Sequence, residues 1–205
     1  MKPLAHLIAA AAIAVPMPFH AVAADRRFPD WPCVQVRVPE LSVAAVWTGQ
    51  PLDDVRNTWR NEPRISDLVA RLAARRTPLE EAKQGTVDFI RGGDGDRQER
   101  AKVLFAGLFE TLNQERLDVI NGLERLTRKQ REFASKIESD AARLRELRAR
   151  PDSDQKEIAE LMNQVNWGTR IFEERRKSVR FACEVPVIIE QRLFALGRVA
   201  QQALD

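Results

Sequence analysis

The residues able to do chemistry in this chain are few, and the missing types say as much as those present. Cysteine occurs twice, at Cys33 and Cys183. Two thiols so far apart, with no CxxC spacing and no third ligand, read as a disulfide rather than a redox or metal pair. Histidine also occurs twice, at His6 and His20, both within the first 24 residues. Once that segment is removed, a histidine-based nucleophilic triad, a His-ligated zinc and a His-ligated haem are excluded. Carboxylates remain, and Asp53 with Asp54, or Asp88, are the candidates for paired acid–base work of the glycosidase kind. Nothing in their spacing sets them above the other acids, so a carboxylate-dependent hydrolase ranks below a binding role. No catalytic, cofactor-binding or metal-ligating residue is expected. Gly92-Gly93-Asp94-Gly95-Asp96 is not a calcium loop, because the twelfth position from Asp94 is Phe105 and not a glutamate. It reads as a turn in which Asp96 caps the next helix and Glu99 completes a capping box.

Residues 1–24 have the pattern of an export signal. Lys2 is the only charge, Leu4 to Val15 is mostly apolar, Pro16 and Pro18 break the run, and Ala21-Val22-Ala23-Ala24 offers small residues for cleavage. The expected location is exported, periplasmic in a Gram-negative source. Without Lys2, 32 Lys and Arg face 30 Asp and Glu, interspersed rather than clustered. That near balance, with export, argues against nucleic acid as a partner. An arginine-rich stretch at Arg143–Arg150 leaves peripheral contact with anionic lipid possible.

The elements that must position these residues are helical. Val119, Leu123, Leu126, Gln130, Phe133, Ile137, Asp140, Leu144 and Leu147 step by four and three, as a heptad seam does. Ile158, Leu161, Val165, Gly168, Phe172, Arg175, Val179 and Ala182 step in the same way. Arg150-Pro151-Asp152-Ser153 separates them, and Asp154 with Glu157 forms a capping box. The fold class is therefore all-α: a long antiparallel, coiled-coil-like hairpin over about 116–183, on a small helical base. Pairing positions whose numbers sum to about 305 alternates large with small residues. It sets Ile137 on Gly168 and Phe133 on Phe172, and makes Gln130 and Arg175 a polar layer that penalises slipped registers.

Three units follow: 1–24 the signal, 25–60 an extended Pro/Trp-rich segment, and 61–205 the helical domain. The second holds four prolines and Trp31, Trp47 and Trp59, and the disulfide staples it to the helices. Within the third, Ile65, Leu68, Val69, Leu72 and Ala73 mark a short helix. A second begins at Thr77-Pro78-Leu79-Glu80, with Thr77 as its N-cap. A third starts at Arg97 and is expected to bend or break near Asn113. Pro186 should kink the second arm, and the apolar stretch after it should be buried in the base.

Leu126-Thr127-Arg128-Lys129-Gln130 resembles the LTxxQ pattern of small exported helical chaperones of the CpxP and Spy type. The hairpin resembles the tentacles of exported holdase chaperones of the Skp type, although the strands of that family's trimeric base have no counterpart here. These resemblances imply a class of function and transfer no site. The expected function is a non-enzymatic accessory or adaptor subunit that binds protein partners in the cell envelope, with a holdase chaperone as the alternative. Trp31, Trp47, Gln130 and Arg175 are the candidate interaction residues, the tryptophans as part of an aromatic groove for an extended peptide or glycan.

Overall fold

Between Arg97 and Ala149 the sequence contains no proline, and in a computed structural model of the chain these 53 residues form a single helix, about 80 Å long. The structure describes residues 27–56 and 58–205; the expected signal segment lies outside them. The long helix is α3. Before it come 3-10 turns at Val43–Ala45 and Thr58–Asn61, α1 (Pro63–Ala73) and α2 (Leu79–Gly92); after it come α4 (Gln155–Ala182) and α5 (Val185–Gln202). No strand occurs among the described residues, so the fold is all-α. The expected break at Asn113 is absent. Leu112 is fully buried and Gln114 donates to Asp118 one turn on, at 3.0 Å, so packing and a side-chain pair hold the helix across that point.

The turn closes much as its residues dictate. The Asp154 carboxylate accepts from the Lys156 backbone N–H at 2.8 Å, satisfying one orphan donor of α4. Glu157 does not complete a box; it reaches across the hairpin to Arg143 at 2.6 Å. Asp96 caps α3 through the Gln98 N–H at 2.8 Å, while Glu99 pairs with Lys102 at 3.3 Å instead of folding back. Thr77 is not the cap of α2 either. Its hydroxyl donates to the Arg71 carbonyl at 2.8 Å, tying off the end of α1.

The antiparallel register holds from tip to base. A Cβ on Gly168 would lie 3.1 Å from Ile137, and Gln164 donates to Asp140 at 3.1 Å. At the kink, Cys183 (φ −65°, ψ −20°) and Glu184 (φ −78°, ψ −24°) keep helical dihedrals, so α5 continues α4 with only Pro186 to bend it. The pairing then runs on: Arg116 meets Glu190 at 2.5 Å and Gly197 lies under Phe105. The hairpin is thus longer than the seam predicts, with α3 as one arm and α4–α5 as the other.

The base is the half of this hairpin that other elements cover. Leu104, Phe105, Leu108 and Leu112 of α3 pack with Ile189, Leu193, Leu196 and Ala200 of α5, and α1 and α2 close over them. Trp47 stacks on Phe105 with ring centroids 4.6 Å apart. Trp59 lies against Gly107, where a Cβ would come within 3.0 Å of its ring and 2.7 Å of Val69. Two arginines stitch the layers, Arg192 buried and Arg100 partly exposed. Arg192 donates to the carbonyls of Leu72 (2.8 Å) and Thr77 (3.0 Å), and Arg100 grips the Ile90, Asp94 and Gly95 carbonyls to shape the glycine turn.

Candidate interaction surface

A strap and a bare hairpin end make up the surface. Residues 28–41 run along α3 towards its N-terminal end. Asp30 is held by Arg128 (2.7 Å) and by Arg131, Arg37 by Glu124 (2.5 Å), and the Val38 carbonyl by Arg116 (2.6 Å). Cys33 is bonded to Cys183, with Cα atoms 5.5 Å apart. Gln35 donates to the Cys183 carbonyl, and its own carbonyl accepts from the Trp31 indole at 2.7 Å. The two arginines beside Asp30 hold its carboxyl below the usual carboxylate range, chiefly by hydrogen bonding. Alternation at Val34, Val36 and Val38 points Gln35 and Arg37 inward and the valines out, with Val34 78% and Val36 72% exposed. The strand-like alternation shows in exposure, but the segment lies on a helix, and no strand occurs among the described residues.

Beyond the strap, the outer part of the hairpin consists of two helices among the described residues. With one partner each, its seam residues are only half covered. Phe133, Ile137, Ile158, Val165 and Phe172 stay partly exposed, and only Gln130, Leu144, Leu161 and Gly168 are buried there. Gln130 does not bond to Arg175. Its amide donates weakly to the Phe172 carbonyl at 3.4 Å, its side-chain oxygen has no partner, and Arg175 stands exposed with its guanidinium 5.4 Å from the Phe133 ring centroid. The polar layer is therefore a buried amide beside a cation–π contact between Arg175 and Phe133.

Of the four candidate interaction residues, the structure removes Trp47. It is 5% exposed, wedged between Phe105 and the 3-10 turn, with its N–H satisfied by the Gln50 carbonyl at 2.8 Å. Trp31 is half-buried beside the disulfide, so the two tryptophans do not share a groove. Gln130 and Arg175 do lie on the outer hairpin. Sequence reading missed the two largest exposed apolar groups, Trp167 (64%) and Phe181 (71%), both on α4 away from the seam. The signal was there: each is a bulky apolar residue inside a helix whose seam positions are already assigned.

The acids considered for hydrolysis are engaged elsewhere. Asp54 pairs with the buried Lys102 at 2.7 Å, which lowers the acid's pKa and raises the amine's. Asp53 pairs with Arg56 at 3.3 Å and Asp88 accepts from Gln84 at 2.8 Å. Among the described residues no cluster of three metal-ligating side chains forms, and no helix is long and apolar enough to cross a membrane. The disulfide is compatible with an oxidising, exported location. Comparison with known protein families, curated proteins and solved structures gives no match to this chain.

Proposed function

We propose that the protein is an exported, non-enzymatic accessory or adaptor subunit that presents the outer half of its hairpin to a protein partner in the cell envelope. The observation that carries this reading is the incomplete burial of the outer seam. Phe133, Ile137, Val165 and Phe172 are half covered on a frame fixed by the base, the strap and the disulfide. A rigid two-helix edge of this kind costs little entropy to dock, and a further helix laid along it would finish the burial.

The test is a photo-reactive residue at Ser135, exposed on the outer hairpin, activated in intact cells and followed by mass spectrometry. One adduct at high yield, absent when the probe sits at Arg71 in the base, supports the adaptor. A broad ladder of adducts, with protection of an unrelated denatured protein by the purified chain, replaces it with the holdase. No adduct at all refutes both.

A further inference from the structure

Along α4 and into the start of α5 runs a second heptad repeat whose Trp167, Phe181 and Ile188 no described residue covers, while Ile171 and Val185 are partly buried, Val185 against the base. Trp167, Ile171, Glu174, Ser178, Phe181, Val185 and Ile188 step by 4, 3, 4, 3, 4, 3, and five of the seven are apolar. At 100° per residue this stripe lies roughly 120° from the seam that faces α3. It crosses the α4–α5 junction, where Cys183 and Glu184 keep helical geometry, and runs for about 32 Å. Trp167, Phe181 and Ile188 are 64, 71 and 46% exposed. Cys183 is buried on the far side of the helix, so the strap leaves the stripe open.

From this we infer that the stripe is a self-association surface: two copies pack α4–α5 against α4–α5, antiparallel, about a two-fold axis near Ser178. The pattern favours a second copy because it is complementary to itself. When residue numbers across the interface sum to about 355, Trp167 meets Ile188 of the other copy, Ile171 meets Val185, and Glu174 meets Phe181. A two-fold interface repeats each pairing in reverse. The small Ser178 falls on the axis, where two helices come closest. Charge agrees with the same alignment. Arg170 comes beside Glu184 of the other copy on both sides of the axis, and the two Lys177 side chains that approach at the axis are each already paired with Glu174 at 2.9 Å, which also neutralises the one acid within the stripe. The polar centre sets the register and the aromatic ends supply the contact area. This inference is independent of the adaptor reading, since it uses a different stripe of α4 from the outer seam.

The test is sedimentation equilibrium of the protein with its disulfide intact, alongside Phe181→Glu, Trp167→Glu and the double variant. Both positions are mostly exposed, so circular dichroism should be unchanged. The expected result is a dimer whose dissociation constant rises at least tenfold in each single variant. Ser178→Cys should give a covalent dimer under mild oxidation, and Arg180→Cys, which points away from the stripe, should not. A wild-type chain that is monomeric at about 100 µM overturns the inference, and so does a dimer that the glutamate variants leave intact.

Discussion

Alanine at Gly107 and at Gly122, two positions in the same helix, should move stability in opposite directions. Each glycine sits in the interior of α3, where replacing it with alanine contributes about 1 kcal/mol through backbone entropy. At Gly122 nothing opposes that gain. The nearest atom a Cβ would meet is the end of the Arg125 side chain at 3.8 Å, an ordinary contact with a flexible group. At Gly107 the same Cβ would lie 2.7 Å from the Val69 methyl and 3.0 Å from the Trp59 ring. Val69 and Trp59 are both buried, so α1 and the 3-10 turn must shift, at a cost of about 2–3 kcal/mol for overpacking. The expected net effects are a gain of ~1 kcal/mol for Gly122→Ala and a loss of ~1–2 kcal/mol for Gly107→Ala. Urea denaturation followed by far-ultraviolet dichroism, with the disulfide intact, measures both, and thermal midpoints should separate by roughly 4–10 °C. If both variants gain stability, the base is not packed as tightly against α3 as described; if both lose it, something covers Gly122.

Cys33→Ser with Cys183→Ser opens a covalent loop of 150 residues and should cost up to about 5 kcal/mol by the chain-entropy relation, read as a lower urea midpoint. A loss below ~1 kcal/mol would mean that the reduced strap already detaches from α3 before the rest unfolds. The strap should also respond to pH. Asp30 titrates below its ordinary value because Arg128 and Arg131 bind its ionised form. Its contribution is therefore present above about pH 4 and lost as pH falls through the lowered value. Amide exchange at residues 30–38 should be flat from pH 7 to about 4, once corrected for intrinsic rates, and accelerate only below that. Glu190→Ala leaves Arg116, 2% exposed, with the Val38 carbonyl but no carboxylate, and should cost about 2–4 kcal/mol, which Arg116→Met in the same background should partly restore. Trp47→Ala should cost about 3–5 kcal/mol as a core deletion, and Trp31→Ala distinctly less.

Heptad spacing made the hairpin legible, and size alternation made its register legible down to Gly168 under Ile137. Both are periodic properties, so many residues vote for the same answer. Single-residue cap assignments were less secure. Asp96 and Asp154 cap as their position suggests, but Thr77, Glu99 and Glu157 each found a competing partner brought close by tertiary packing. Trp47 shows the limit for function, since a tryptophan among prolines reads equally as groove or core and only the position of Phe105 decides. The continuity of α3 through Asn113 was likewise fixed from outside, by burial of Leu112 beside it. The α4 stripe ending in Ile188 was overlooked because Pro186 suggests a helix end, whereas the backbone passes through it with only a bend.

The disulfide bears on how the molecule is made. Cys33 enters any oxidising compartment long before Cys183, yet with only two cysteines in the sequence it has no wrong partner within its own chain. Pairing needs an oxidant but no reshuffling, and a mispaired product can only join two chains. In the fold the strap runs along α3 and Cys183 lies on the facing arm, so packing of the two arms is what holds the thiols side by side, and bond formation is expected to report completed assembly. On that expectation the bridge is a latch set last, and the time at which free thiol disappears after synthesis would clock hairpin closure.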